Sequence, residues 1–134
     1  MTGSDIVLDT SAVVKMLNSH ELAARFLGSV GRVHLPAIAA GELLYGAANS
    51  QRRETNLPRF RQFIDHCAMI DVTLATADVY ARTRLRLKEA GKPIPEADIW
   101  IAATAIERGL SLATADQHFV HVQDLSLVPF DWSK

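Results

Sequence analysis

Four acidic residues stand at positions where carboxylates do chemistry rather than merely solubilise a surface. Asp9 follows the apolar run Ile6-Val7-Leu8, Asp116 follows Leu110 to Ala113, and Asp98 falls in the first turn of a helical stretch from Glu96 to Arg108. Glu42 lies inside the small and apolar segment Ala37 to Ala48. In open parallel sheets, reactive groups gather at the carboxyl ends of strands and the amino ends of the helices that follow. Three of the acids lie naturally there, and together with Glu42 they suggest a cluster whose mutual repulsion would be costly without a cation. With oxygen donors and no cysteine set, the cation that fits is a hard divalent ion, magnesium or manganese rather than zinc. Two such ions about 3.5–4 Å apart activate water and stabilise the leaving oxygen of a phosphodiester, and one ion does the first job and part of the second. The sequence leaves the number open.

Each acid also has a plainer role. Asp9 is a natural cap for the helix that begins after it at Thr10. Asp98 is favoured by the dipole at a helix start, and Asp116 suits a turn in Thr114-Ala115-Asp116-Gln117. Glu42 has Ile38, Ala39, Tyr45 and Gly46 three and four residues away, an apolar face on which a buried carboxylate needs a partner. His118 and His121 lie in the helical fragment Gln117 to His121 with no third ligand nearby, so they read as surface or supporting groups. The single cysteine, Cys67, excludes an internal disulfide and a cysteine-rich zinc site, and reads as a buried thiol.

The elements that must position these acids alternate between strand and helix. Ile6 to Leu8 reads as a buried strand, and Thr10-Ser11 opens a helix carrying Val13, Val14 and Leu17. A short helix from about Glu21 to Leu27 is followed by a weaker strand, Val33 to Leu35, closed by Pro36. Ala37 to Ala48 reads as a buried helix in which Gly41 and Gly46 admit a close neighbour, and a further helix runs from about Leu57 to Cys67. Met69 to Val72 is a third strand, and Thr73 caps a long helix to about Ala90. Gly91-Lys92-Pro93-Ile94-Pro95 breaks that helix, and Gly109 stops the one beginning at Glu96. Leu110 to Ala113 is a fourth strand and Leu127 to Phe130 a fifth. The alternation predicts an α/β domain spanning residues 1–134: a three-layer α/β/α sandwich with a central, mainly parallel sheet of about five strands.

Composition sets outer limits. The chain has 134 residues, 49% of them apolar and 22% charged, which is enough apolar material for a single core. A net charge of −1 means that an RNA ligand would need clustered basic groups or a bound cation. Arg52, Arg53, Arg59 and Arg61 form one basic stretch, and Arg82, Arg84, Arg86, Lys88 and Lys92 another. Tyr45 and Trp100 lie within helical segments and are expected to pack in the core. No run approaches the roughly 18 apolar residues of a membrane span, and no basic-then-apolar leader pattern opens the chain. A cytoplasmic domain is expected.

Taken in order, these segments resemble the motifs of the PIN-domain family, and within it the VapC-type toxins of VapBC toxin–antitoxin pairs. Val7-Leu8-Asp9-Thr10-Ser11 resembles the opening motif, Gly41-Glu42-Leu43-Leu44-Tyr45-Gly46 the second, Ala97-Asp98-Ile99-Trp100-Ile101-Ala102-Ala103 the third, and Leu112 to Phe119 the fourth. The resemblance covers essentially the whole chain. It implies a homodimeric endoribonuclease that needs Mg²⁺, with Mn²⁺ as a substitute, and that hydrolyses RNA phosphodiesters with water activated by the ion. It also implies that Asp9, Glu42, Asp98 and Asp116 hold the metal, with Asp116 either ligating it or orienting water. Thr10, Ser11 and Thr114 would support the carboxylates or the scissile phosphate. The implied partner is a VapB-like antitoxin whose C-terminal segment crosses the site, giving a toxin–antitoxin hetero-oligomer.

Three other readings meet specific residues. A receiver-type phosphoacceptor domain would use Asp71 at the end of the third strand, but the acidic pair beside Asp9 and a terminal lysine on the fifth strand are missing. A haloacid-dehalogenase-like phosphatase needs an aspartate two positions after the first, where Ser11 stands. A non-catalytic PIN-like binding scaffold would not require all four acids.

Overall fold

The computed structural model describes residues 3–133; residues 1, 2 and 134, the ends of the expected domain, lie outside the described residues. Four strands, β1 (Ile6–Leu8), β2 (Val33–Pro36), β3 (Ala68–Ile70) and β4 (Ser111–Ala113), form one sheet in the order β3-β2-β1-β4. Every pairing is parallel. Around them lie α1 (Thr10–Asn18), α2 (His20–Leu27), α3 (Ala37–Ala48), α4 (Arg53–Asp65), α5 (Leu74–Glu89) and α6 (Glu96–Arg108). Successive strand residues face opposite sides of a sheet. Ile6, Val7 and Leu8 are all buried, so the sheet is covered on both faces, as the sandwich predicts.

Among the described residues the strand count is four rather than about five. Leu127 makes only an isolated parallel bridge to Leu112, with Leu112 N donating to Ser126 O and Val128 N to Leu112 O. Pro129 follows at once, lacks a backbone donor and restricts the residue before it, so the pairing stops there. Beyond it, Phe130 and Trp132 fold back onto Phe26 of α2, with ring centroids 5.0 Å away in each case.

Local signals place most boundaries. Thr73 caps α5 through a reciprocal capping box with Thr76. Gly109 ends α6 at a φ of 66°, a left-handed conformation that a residue with a Cβ seldom adopts. Helix α4, however, starts at Arg53 and carries Pro58 inside it, instead of starting near Leu57. Its first turn is secured from outside the helix: Asn56 Nδ2 donates to Ser50 Oγ at 3.1 Å, and Arg53 Nε to the Ala48 carbonyl at 2.6 Å.

Helix α3 corrects three expectations. A Cβ at Gly41 or Gly46 would meet nothing within 4 Å, so neither glycine serves a close approach. Tyr45 is 69% exposed instead of packing in the core. Glu42 likewise lies on the exposed face, while Ala39, Ala40, Leu43 and Ala47 carry the packing. Trp100 is half-buried and stacks on Tyr80 at 3.8 Å between centroids. Cys67 is partly buried, donates weakly to the Phe63 carbonyl at 3.5 Å, and has its thiol pushed up to about 11 by burial, which keeps it in the unreactive form.

Candidate active site

The sheet order fixes where the acids meet. The sheet grows from β1 through β2 to β3 on one side and to β4 on the other. The strand order therefore reverses between β1 and β4 while all strands stay parallel, and that is the crevice where open α/β sheets bind ligands. The register pairs Leu8 with Ala113, which sets Asp9 and Thr114 side by side just beyond the strand ends. Asp9 N donates to the Ala113 carbonyl at 3.2 Å and closes that junction.

Asp9 is 3% exposed and fully engaged. It caps α1 by accepting from Ala12 N at 2.8 Å, takes the Ser11 hydroxyl at 2.9 Å on both oxygens, and takes Thr114 Oγ1 at 2.5 Å. The plain role and the site role therefore coexist in one carboxylate. Ser11 Oγ also accepts from Ala115 N at 3.0 Å, and Thr114 Oγ1 from Asp116 N at 2.9 Å, so the two hydroxyls stitch the loops after β1 and β4 together. Thr10 Oγ1 reaches across to α3 and donates to Glu42 Oε1 at 2.6 Å. Glu42 thus has a partner although it is exposed.

Asp98 is held differently. Its side chain is 17% exposed and, among the described residues, no hydrogen bond reaches its carboxylate. Burial, followed by the charges of Asp116, Glu42 and Asp9, pushes its carboxyl up to about 6, with His118 opposing the rise. The other three acids therefore all act on Asp98. Asp9 is also raised, chiefly by burial, although the hydrogen bonds from Thr114, Ala12 and Ser11 pull the other way.

Asp116 caps the 3₁₀ helix Gln117–His121 by accepting from His118 N at 2.9 Å. That turn swings the His118 ring back over the acids, with Nδ1 3.1 Å from Asp116 Oδ1 and 3.8 Å from Asp98 Oδ2. One ligand atom from each of Asp98, Asp116 and His118 lies within 4.8 Å of the others. Reading the histidines without a third ligand nearby missed this, because Asp98 arrives from α6. The signal in the sequence was the capping aspartate two residues before His118, which ties the backbone of residue 118 to the site. The donor set as a whole is carboxylate, hydroxyl and one imidazole, and burial, followed by the three neighbouring carboxylates, raises Asp98. That chemistry fits a divalent cation.

The expected basic stretches are largely occupied elsewhere. Arg59 donates to the Leu17 carbonyl, Arg61 pairs with Asp65, Arg84 with Glu96 and Arg86 with Asp124. Asp71, the residue a receiver domain would use, is exposed and follows the edge strand β3, with β2 between it and the strand that carries Asp9.

The PIN-domain family model matches residues 6–125, a span that contains all four acids. The chain belongs to the PIN-domain family. Within it, the chain is 31% identical over 110 residues to the ribonuclease VapC2 of Haemophilus influenzae, covering 81% of this chain and 83% of that one. It is 29% identical over 130 residues to the tRNA(fMet)-specific endonuclease VapC of Shigella flexneri, covering 95% and 97%. The fold matches that of a chain in the DNA-bound VapBC complex from Salmonella typhimurium with a TM-score of 0.85 at 26% identity, covering 99% of this chain and 100% of that one. A chain of the VapBC2 complex from Rickettsia felis, bound to promoter DNA, matches at 0.84 and 25% identity, covering 95% and 99%. No helix among the described residues is long and apolar enough to cross a membrane.

Proposed function

We propose that this chain, as a single PIN domain over residues 1–134, is a divalent-metal-dependent endoribonuclease and the toxin half of a VapBC pair acting on cytoplasmic RNA. The observation that carries the reading is the acid cluster: four carboxylates drawn from four separate segments, with Asp98 raised to about 6 by burial and then by the other three. A fold gains nothing in stability from such repulsion, so a ligand of opposite charge is the economical explanation. The names of the VapC relatives support RNA as the substrate.

Asp9, Glu42, Asp98 and Asp116 would hold the ion, either directly or, for Asp116, by orienting water. When bound, a divalent ion supplies Lewis-acid polarisation of the phosphate and a water made nucleophilic near neutral pH. The chain's own residues do the positioning. Ser11 and Thr114 fix the Asp9 carboxylate, and Thr10 steadies Glu42. Without a cation these acids would repel an RNA phosphate, so neutralising the cluster also admits the substrate. Structural likeness to VapBC complexes supports a VapB-like antitoxin partner, and the family resemblance supports a homodimer within a toxin–antitoxin hetero-oligomer.

The test is cleavage of total RNA by purified protein with Mg²⁺ or Mn²⁺, set against EDTA and against Asp9→Ala and Asp98→Ala. Metal-dependent cutting lost in both folded variants supports the reading. Cutting that persists in EDTA, or in either variant, overturns it.

A further inference from the structure

His118 is the side chain at the acid cluster to which the roles above give no task. Its ring is tethered there by its own backbone, since His118 N donates to the same Asp116 carboxylate that Nδ1 approaches. The side chain is 54% exposed, so the ring can settle beside a cation without being dragged from a packed core. Two ligands at right angles, each about 2.1 Å from an ion, lie about 3.0 Å apart, and opposite ligands about 4.2 Å apart. The 3.1 Å between Nδ1 and Asp116 Oδ1 matches the first separation. The 3.8 Å to Asp98 Oδ2 falls between the two.

From this geometry we infer that His118 Nδ1 is a ligand of the divalent ion, making the site a mixed nitrogen and oxygen one that prefers Mn²⁺ to Mg²⁺. The inference rests on the divalent-ion reading proposed above and deepens it. Magnesium holds its water and favours oxygen donors, whereas imidazole suits transition ions. A purely carboxylate site has less means of telling the two apart. The competing role for His118 is to donate from Nδ1–H to Asp116 and hold that carboxylate in place, as partners of metal ligands often do. The two roles differ in whether nitrogen touches the metal.

The experiment is a Mn²⁺ titration of the metal-free full-length protein, followed by electron spin-echo spectroscopy for nitrogen coupled to the ion. Mg²⁺ and Mn²⁺ affinities are measured alongside by thermal shift for the wild type, His118→Ala and His118→Gln. The expected result is imidazole nitrogen coupling in the wild type that vanishes in both variants. Mn²⁺ affinity should fall roughly ten-fold or more in both, and Mg²⁺ affinity by less than about three-fold. Circular dichroism of the exposed-site variants verifies folding. Mn²⁺ bound without nitrogen coupling overturns the inference while leaving the metal reading intact. Equal weakening of both ions, or full rescue by glutamine, which hydrogen-bonds to Asp116 without imidazole, also overturns it. A wild type that binds no Mn²⁺ overturns both.

Discussion

Asp98→Asn removes one charge from the cluster and changes almost no volume. In the metal-free protein its effect follows from how Asp98 is held. Among the described residues no hydrogen-bond donor depends on its carboxylate, and its carboxyl sits at about 6 against an ordinary 3.8. A shift of that size means the ionised form costs about 3 kcal/mol in the folded state, at about 1.4 kcal/mol per pH unit. Asparagine escapes the repulsion but still loses water, so the net gain expected above pH 7 is about 1–2 kcal/mol, or roughly 3–8 °C in Tm. The pH dependence has a definite sign. An acid raised in the folded state binds its proton more tightly there, so wild-type stability falls as pH rises from about 4 to about 6 and then levels. The variant should lose most of that fall and keep a shallower one from Asp9, which is raised in the same direction. Urea unfolding in EDTA at pH 4 and pH 7.5 reads both effects. A variant no more stable than wild type at pH 7.5, or equally stabilised at both pH values, would refute the reasoning.

Asp9→Ala should do the opposite and destabilise by about 2–3 kcal/mol, since it removes a helix cap and strands the Ser11 and Thr114 hydroxyls; the same urea series measures it. Thr114→Val keeps the shape but removes the hydrogen bonds to Asp9 and from Asp116 N, and should cost about 1–2 kcal/mol while lowering metal affinity, read by calorimetry. Mn²⁺ at about a hundred times its Kd should stabilise the wild type by about 2.7 kcal/mol, with Asp98→Asn showing a much smaller gain at the same concentration. Thr73→Ala, far from the acids, should cost about 1 kcal/mol by loss of its capping box and leave RNA cleavage unchanged.

The features legible in the sequence are those written in local chemistry. Thr73 and Gly109 announced helix ends because a hydroxyl cap and a left-handed residue have few substitutes. The strand and helix alternation led to a parallel sheet, and that sheet brings Asp9 beside Thr114. What escaped was set by neighbours distant in the chain. Helix α3 is so rich in alanine and glycine that its pattern does not say which side faces out, and so Glu42 and Tyr45 were placed on the wrong side. The pattern alone starts α4 near Leu57, because the bonds to Ser50 and Ala48 that hold its first turn are invisible in its own periodicity. The fifth strand was a fair reading of Leu127 to Phe130 until Pro129 is counted as a missing donor. His118 needed the arrival of Asp98 from another helix to become part of the cluster.

The hydroxyl of Thr114 reaches Asp9 across 105 residues of chain, and that distance governs when a working site can exist. Closing so long a loop carries a large entropic cost that only the completed sheet offsets. Asp9 and Glu42 lie before the break at Gly91 to Pro95, and Asp98 and Asp116 lie after it. A chain cut in that linker therefore yields two fragments that each hold half of the acids, and neither can assemble the cluster alone. Hydrolysis would return only where the fragments reassociate, which makes this linker the natural place to divide the protein into an inert pair that reports on its own reunion.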